Sequence, residues 1–189
     1  MLVLASKSAS RRAMLEAAGV SFRCEAADVD ERGIESTLSA RAPADVALAL
    51  AEAKALSVGG DLVLGSDSLV AVEGQRFDKP ATREEAAAHL RFFSGRVMEL
   101  HSAAALSEGR IVWSYSDCAF LHMRDLSEAF ITSYLDAEWP EIGHCAGAFR
   151  IEAMGVQLFE RIEGNHFTVL GMPLLPVLSA LRQRGAIAA

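Results

Sequence analysis

The fold class is indicated first by residues 1–19, which read MLVLASKSASRRAMLEAAG. Residues 2–5 form a short apolar run that predicts a β-strand, and residues 6–10 form a polar, serine-rich turn. The pattern over 11–18 is helical, and Gly19 is a typical residue to end that helix. A strand, a hydroxyl-rich loop and a helix in this order indicate the first unit of an α/β fold.

Patterns further along the chain mix strands and helices in the same way. The composition of 45–56, after Pro43, favours a helix. A capping box at 82–85 predicts another helix that ends near Phe93. Further helices are predicted at 127–135 and 173–184, extended segments at 20–24, 62–64, 69–72, 97–106, 111–123, 148–151 and 156–162, and a charged loop at 28–33. The predicted class is therefore α/β, and the length favours one domain or two small lobes.

Charge and composition exclude several classes of protein. The 189 residues include 18 Lys and Arg and 25 Asp and Glu, which gives a net charge of −7, and 51% of the residues are hydrophobic. This balance argues against disorder and against non-specific binding to nucleic acid or to an anionic membrane surface. The sequence has no signal-peptide pattern and no run of about 18 uninterrupted apolar residues, so we expect no membrane segment.

The cysteines favour a reducing compartment. Cys24, Cys118 and Cys145 are odd in number and widely spaced, and they contain no C-x-x-C pair. Such a set favours neither a disulfide framework nor a zinc knuckle. It fits a protein of the reduced cytoplasm, where thiols stay buried or chemically inert.

Residues 6–12, SKSASRR, form a candidate phosphate-binding turn. A strand-to-helix turn offers unpaired backbone N–H groups and the positive end of a helix, while the hydroxyls and Arg11 can donate to phosphate oxygens. The segment matches neither the G-x-x-x-x-G-K-[ST] P-loop nor the G-x-G-x-x-G dinucleotide fingerprint. The alternative is a capped helix whose arginines are simply solvated.

Asp67 is a lone carboxylate in the apolar context 62–70, LVLGSDSLV. Burying its charge is costly unless a cation, a metal or hydrogen-bond donors compensate it, so this position favours a function. Asp30, Glu31, Asp67 and Asp78 offer the hard oxygen ligands that Mg²⁺ or Mn²⁺ prefers. The linear sequence leaves open which of them converge.

Two lysines are further candidates, whereas the histidines and serines show no catalytic spacing. Lys54 and Lys79 are two of three lysines, the third being Lys7. The alternatives to a role in chemistry are a helix-surface cation for Lys54 and a charge beside a turn proline for Lys79. The five histidines show no H-E-x-x-H spacing, and the G-x-S-x-G elbow of serine hydrolases does not occur.

These residues belong to a longer series of short motifs. The series comprises Leu4-Ala5-Ser6-x-Ser8-x-x-Arg11, Asp30-Glu31, Ala53-Lys54-Ala55, Gly65-Ser66-Asp67-Ser68, Lys79-Pro80, Ser94-Gly95, Ala146-Gly147-Ala148-Phe149, Glu163-Gly164 and Val169-Leu170-Gly171-Met172-Pro173-Leu174. In this order and spacing the motifs resemble the Maf family of nucleoside triphosphate pyrophosphatases. The resemblance extends over nearly the whole chain and rests on the series, since no single motif is specific.

The resemblance implies a fold, a reaction and partners. Maf-like proteins are cytoplasmic α/β enzymes, often homodimers, with a mixed twisted sheet, flanking helices and a deep cleft between two lobes. They share this architecture with the inosine triphosphate pyrophosphatases, so residues 1–189 are expected to form a single Maf-like domain of two lobes. The implied reaction is cleavage of a nucleoside triphosphate between its α- and β-phosphates with a divalent cation such as Mg²⁺, Mn²⁺ or Co²⁺.

The resemblance also implies roles for the motif residues. Glu31 and Asp67 would hold the metal, and Asp67 would orient or deprotonate the attacking water. The residues expected to hold the triphosphate are Ser6, Ser8, Arg11, Lys54 and Lys79, and further substrate contacts are expected from Ser10, Arg12, Ser68 and Glu152. Positioning and charge neutralisation do most of such chemistry, so this mix of cations and acids suits it.

Residues 143–152 look like the subgroup of the family that acts on 7-methyl-GTP. The subgroup that acts on dTTP and UTP has a lysine where Cys145 stands and a glutamine where Glu152 stands. The Glu152 carboxylate can accept hydrogen bonds from the N1–H and amino group of guanine. It can also offset the positive charge that N7-methylation places on the ring.

Three positions depart from that subgroup. Ser10 stands where it has a tryptophan, Ser68 where it has a glutamine and Ala9 where it has a proline, whereas Arg12 keeps its Arg-Arg pair. Hydrolysis of dTTP or UTP is therefore the alternative activity. The alternative class of function is a catalytically weak regulator of septum formation that acts through partner contacts.

Overall fold

The computed structural model describes residues 1–38 and 40–188, and its mixed α/β architecture confirms the predicted class. The strands are β1 Leu2–Ala5, β2 Phe22–Glu25, β3 Leu62–Val72, β4 Gln75–Phe77, β5 Val97–Ser107, β6 Ile111–Met123 and β7 Phe159–Glu163. The helices are α1 Ala9–Ala17, α2 Glu31–Thr37, α3 Pro43–Leu56, α4 Arg83–Phe93, α5 Glu128–Glu138, α6 His166–Val169 and α7 Leu174–Gln183, with 3-10 helices at Glu141–His144 and Met154–Leu158. Within the described residues, no helix combines the length and apolarity needed to span a membrane.

The strands form a seven-stranded mixed sheet. Its order is β2-β1-β3-β5-β6-β7, with β4 paired to β3. Strand β1 is parallel to β2 and β3, with Leu2 opposite both Phe22 and Leu62. Strand β4 is antiparallel to β3, and β7 is antiparallel to β6. The sheet and its flanking helices agree with the predicted architecture, and the expected cleft between two lobes stays a prediction.

The charged segment predicted as a loop at 28–33 is a loop only as far as Asp30. Helix α2 begins at Glu31, and Asp30 is its N-cap, because the Asp30 carboxylate accepts a hydrogen bond from Gly33 N at 3.0 Å. Aspartate is a favoured N-cap residue. A second short helix, α6, was also not predicted; Asn165 caps it through Phe167 N at 2.9 Å.

The strand predicted at 148–151 is wrong. Gly147 and Ala148 have φ angles of 82° and 55°, in the left-handed region, and the segment continues as turns. The strand predicted at 156–162 is correct only in its second half, since Met154–Leu158 is a 3-10 helix and β7 begins at Phe159. The apolar residues Ala148 and Phe149 are buried within a turn, whereas Val156 is 52% exposed on the 3-10 helix.

The chain forms two compact units. The first comprises Met1–Ser68, His101–Cys118 and Asn165–Ala189, and the second comprises Leu69–Leu100 and Ala119–Gly164. The single domain with two lobes stays a prediction.

The core of the first unit covers both faces of β1 and β3. One cluster includes Leu2, Leu4, Leu62 and Leu64 of the strands with Leu15 of α1 and Val177 and Leu181 of α7. Val3 and Val63 belong to a second cluster on the opposite face, because successive strand residues point to opposite faces. On that second face a Cβ at Gly65 would lie 2.1 Å from Ala51 O, so only glycine lets α3 approach β3 so closely.

The second unit contains an aromatic cluster. The Phe77 ring lies edge-on to His89 at 5.1 Å and to Phe93 at 4.7 Å between centroids. Edge-to-face pairs at such distances stabilise the fold beyond the contribution from burying the rings. Helices α4 and α5 are joined at their surface by Arg91, whose Nε and Nη2 donate to the Glu128 carboxylate at 2.7 and 2.8 Å.

Candidate active site

An ion cluster in the first unit contains Asp67, Lys54 and Glu31. The alternation that puts Gly65 against α3 puts Asp67 on the same face, two residues further along β3. Lys54 Nζ lies 2.7 Å from Asp67 Oδ1 and 2.8 Å from Glu31 Oε1. The side chains of Lys54 and Asp67 are only 10% and 12% exposed, whereas that of Glu31 is 52% exposed. One ammonium group therefore joins the two carboxylates predicted to ligate a metal.

The serine-rich turn is built around Ser6 and Ser8. Ser8 is the N-cap of α1, and its hydroxyl accepts from Arg11 N at 3.4 Å. The Ser6 hydroxyl accepts from Ser8 N at 3.2 Å and from Arg11 Nη1 at 3.4 Å. The turn thus combines a helix N-terminus, hydroxyl groups and a guanidinium group, which are the donors that an anion requires. The cap predicted as the alternative is present as well, so both interpretations fit this geometry.

Arg11 is buried beside the ion cluster. Its Nε donates to Gly171 O at 2.9 Å and its Nη2 to Ser68 Oγ at 3.0 Å. Burial lowers the pKa of Arg11, and the negative charges of Asp67 and Glu31 partly offset that effect. The two carboxylates of the ion cluster therefore face two cations, Lys54 and Arg11.

Ser10, Ser68 and Arg12 make contacts within the protein. Ser10 Oγ donates to Leu170 O at 2.8 Å, and Ser68 Oγ donates to Gly171 O at 2.9 Å. Arg12 lies on the exposed surface of α1 and pairs with Glu16 at 3.0 Å. The structure therefore places both serines against the 170–171 backbone, where they support the turn and Arg11.

Gly171 is a functional candidate that residue-level reasoning missed. Its carbonyl accepts from Arg11 and Ser68, and its φ of 101° requires glycine. Beneath it, Ser102 Oγ lies 3.0 Å from Ser68 Oγ and donates to Thr168 O at 2.8 Å. The signal was the 169–174 motif, which the family resemblance included without assigning it a role.

Lys79 and Glu152 lie in the second unit, where both act on Cys145. Burial raises the pKa of Cys145 most, Glu152 raises it further, and the cationic groups of Arg150 and Lys79 lower it. A Cβ at Gly143 would lie 3.5 Å from Pro80 O, so the chain before Cys145 passes next to the Lys79-Pro80 turn. The structure thus brings an exposed lysine and an exposed glutamate to one thiol.

The donor set of the ion cluster fits a divalent metal ion. Asp67 Oδ1 accepts from Lys54, whereas Asp67 Oδ2 accepts no hydrogen bond from residues 1–38 or 40–188. Mg²⁺ in proteins is bound by one or two carboxylates together with substrate phosphates. Asp67 and Glu31 are the residues that would hold such an ion.

A different set of ligand types lies on β5 and β6. His101 Nε2 and Cys118 Sγ are 3.9 Å apart, and Glu99 precedes His101 by two residues on β5. These residue types can hold a metal ion, and imidazole and thiolate are softer ligands than carboxylates. Sequence spacing did not indicate this pair because its members come from separate strands.

Comparison with known proteins identifies the family. The model of a family described as Maf-like protein matches residues 1–184. The chain belongs to the Maf-like family. The resemblance found in the sequence motifs is thereby confirmed.

Full-length relatives of this Maf-like chain have been named by activity. It is 46% identical to a 7-methyl-GTP pyrophosphatase of Rhizobium meliloti (strain 1021), over 99% of this chain and 98% of that protein. It is 45% identical to a 7-methyl-GTP pyrophosphatase of Mesorhizobium japonicum, over 98% of this chain and 97% of that protein. It is 43% identical to a nucleoside triphosphate pyrophosphatase of Bradyrhizobium diazoefficiens, over 99% of this chain and 95% of that protein.

Proposed function

We propose that this Maf-like protein is a nucleoside triphosphate pyrophosphatase that releases a nucleoside monophosphate and pyrophosphate. The observation that carries the proposal is the contact of Lys54 with both Asp67 and Glu31 beside the buried Arg11. Acids that can hold a metal and cations that can hold phosphates are what phosphoryl transfer needs. The names of the full-length relatives support the same activity.

Asp67 is the proposed catalytic residue. It orients or deprotonates the water that attacks the α-phosphate, and Lys54 holds its carboxylate in place at 2.7 Å. Ser6, Ser8 and Arg11 bind phosphate oxygens at the N-terminus of α1, and Lys54 and Lys79 add positive charge. A divalent cation held by Asp67 and Glu31 would neutralise the negative charge that develops on the phosphates.

Product analysis tests the reaction. With Mg²⁺, Mn²⁺ or Co²⁺ present, we expect monophosphate and pyrophosphate in equal amounts, measured by anion-exchange chromatography with and without inorganic pyrophosphatase. Excess EDTA should abolish turnover. Release of diphosphate and orthophosphate would contradict the assigned bond, and full activity in EDTA would contradict the metal role.

Glu152 is the proposed determinant of the base, with 7-methyl-GTP preferred to dTTP and UTP. A carboxylate that accepts from two guanine donors meets only one donor, N3–H, on uracil or thymine, and its other oxygen faces a carbonyl, which disfavours binding by about 1–3 kcal/mol. Glu152→Gln should narrow the ratio of kcat/KM between the two substrate types. Glu160→Gln, also an exposed glutamate of the second unit, is the matched control and should leave the ratio unchanged. A wild-type preference for dTTP or UTP that persists in Glu152→Gln would favour the alternative activity.

We also propose a cytoplasmic homodimer. The resemblance to the family supports both properties, and the three cysteines form no disulfide within the described residues. Light scattering after size exclusion should give twice the chain mass of 20.2 kDa. A value equal to one chain would contradict the dimer.

A further inference from the structure

Glu138 is a buried carboxylate of the second unit that the proposed mechanism does not use. It is the last residue of α5 and is only 6% exposed. Arg150 donates to Glu138 Oε2 through Nε at 3.0 Å and Nη2 at 2.8 Å. Met154 N donates to the other oxygen at 3.4 Å. A buried carboxylate is tolerated when charged and hydrogen-bonded partners compensate it, and here those partners belong to one loop.

Tyr134 holds the same loop one turn earlier on α5. Residues four apart lie on one face of a helix, so Tyr134 and Glu138 both point toward residues 145–154. The Tyr134 hydroxyl donates to Ala148 O at 3.1 Å. Helix α5 therefore contacts this loop at residues 148, 150 and 154.

The loop that α5 holds has little regular structure of its own. Ala148 has a left-handed φ of 55°, which is unfavourable for alanine and persists only where surrounding contacts impose it. At the other end, a Cβ at Gly155 would lie 2.4 Å from Arg150 O, so the chain folds back tightly on itself. The conformation of the loop thus depends on its contacts with α5.

Glu152 lies between the two residues that Glu138 contacts. Arg150 and Met154 are each two residues from Glu152, so fixing both fixes the backbone on either side of it. Both charges also lie near Cys145, since Arg150 lowers the pKa of that thiol and Glu152 raises it. Displacing the Arg150 guanidinium is therefore expected to displace the backbone that carries Glu152.

We propose that Glu138 is a positioning residue for base selection, acting through Arg150 and Met154 N to hold Glu152. This inference rests on the proposed function, in which Glu152 binds the base. It predicts that Glu138 affects KM and the choice of substrate more than the chemical step, because Asp67 and Lys54 belong to the first unit.

The test is Glu138→Gln, which keeps the shape of the side chain and removes the charge. We expect a rise of about tenfold in KM for 7-methyl-GTP, with kcat and the kcat/KM for UTP changed by less than about twofold. Glu128→Gln on the same helix is the matched control; Glu128 is exposed and binds Arg91 in the same two-bond manner. A fall in kcat for every substrate without a change in their ranking would indicate a purely structural role and overturn the proposal.

A double variant separates positioning from general destabilisation. In a Glu152→Gln background, Glu138→Gln should have no further effect on the substrate ratio, because the group that it positions is already altered. Independent, additive effects of the two substitutions would contradict the proposal. If Glu138→Gln does not fold, Arg150→Lys replaces it, since lysine keeps the charge and cannot make both hydrogen bonds.

The reactivity of Cys145 reports on the loop without any nucleotide. Iodoacetamide labelling followed by peptide mass analysis compares Cys145 with the exposed Cys24 in the same chain. Because the Glu138 charge itself raises the pKa of Cys145, the variant used is Arg150→Lys, which keeps both charges and loses the paired hydrogen bonds to Glu138. It should raise the rate at Cys145 by about fivefold and leave Cys24 unchanged, because a loosened loop exposes the thiol. An unchanged Cys145 rate would overturn the positioning role. If the wild type hydrolyses no nucleoside triphosphate, the proposed function fails, and the labelling rate still decides whether Glu138 holds the loop.

Discussion

At the scale of single residues, the ion cluster shows how this chain keeps a charge inside an apolar strand. Asp67 is nearly buried, and it is compensated by an equally buried lysine at 2.7 Å. Removing one member of such a pair leaves the other charge unpaired, which costs more than the pair itself contributes. Here Glu31 also contacts Lys54, so the ammonium group keeps one partner when Asp67 is changed. Variants of Asp67 are therefore expected to fold and to report on chemistry.

Asp67→Asn should lower kcat at least about 100-fold, because the amide keeps the shape but lacks the charge and basicity of the carboxylate. The measurement is steady-state hydrolysis of 7-methyl-GTP, with circular dichroism to confirm folding. Asp61→Asn is the control, since Asp61 lies just before β3 and its side chain is 95% exposed. Near-native turnover in Asp67→Asn would move the base role to Glu31.

Cys145 and Cys24 should differ in their reaction with iodoacetamide in the wild-type protein. The raised pKa of Cys145 leaves less thiolate at pH 8 than an exposed cysteine has, and the thiolate is the nucleophile. Labelling of Cys145 should therefore be slower than labelling of Cys24, and its rate should still rise with pH above 9.0, the ordinary pKa of a thiol. Equal rates at pH 8 would contradict the assigned direction of the shift.

At the scale of elements, the packing of α3 on β3 brings the cluster together. Gly65 lets the helix backbone contact the strand, and Lys54 of α3 then lies next to Asp67 in the middle of β3. Strand β3 sends Asp67 to this face and Ser66 and Ser68 to the other, where they contact Gly171. One strand thus supplies the site from both of its faces.

Gly65→Ala should lower the free energy of unfolding by about 3 kcal/mol, because its Cβ would overlap backbone atoms of α3 that cannot move independently. Urea denaturation followed by circular dichroism measures the change. Gly59→Ala is the matched control, since a Cβ there meets nothing within 4 Å. Similar losses in the two variants would contradict the close approach of α3.

At the scale of the whole molecule, buried ionisable groups make stability depend on pH. Burial raises the pKa of Tyr134 above its ordinary value of 10.0, and the charge of Glu138 raises it further. Above pH 10 the unfolded chain loses this proton while the native protein keeps it. The native state then binds more protons, so the free energy of unfolding falls as the pH rises.

Tyr134→Phe should reduce this loss of unfolding free energy at alkaline pH. At neutral pH the variant loses about 1 kcal/mol with the hydrogen bond to Ala148 O. Between pH 10 and 11, its free energy of unfolding should fall less steeply than that of the wild type, as measured by urea denaturation. Tyr115→Phe is the control, because Tyr115 is exposed and is the only other tyrosine. Parallel slopes for Tyr134→Phe and the wild type would contradict the prediction.

The sequence by itself determined the family, the α/β class and most of the elements. Strand 2–5, the serine-rich turn and the capping box of α4 are local patterns, and propensities and caps act over a few residues. The errors came at 31–33 and 148–151, where a capping aspartate and a left-handed turn decide the backbone, and at 156–158, which form part of a 3-10 helix. The candidate residues came from local patterns such as 6–12 and 62–70 and from the motif series, and neither source carries distances.

Only the tertiary structure decided which of those residues meet. Lys54 lies 13 residues from Asp67 in sequence, and the pairing depends on the face to which β3 turns each side chain. Arg11 and Gly171 are 160 residues apart and join through a carbonyl that no motif identifies as an acceptor. Contacts of this kind depend on packing and on strand register. Hydrogen bonds and ion pairs form between groups that are close in space, whatever their separation along the chain.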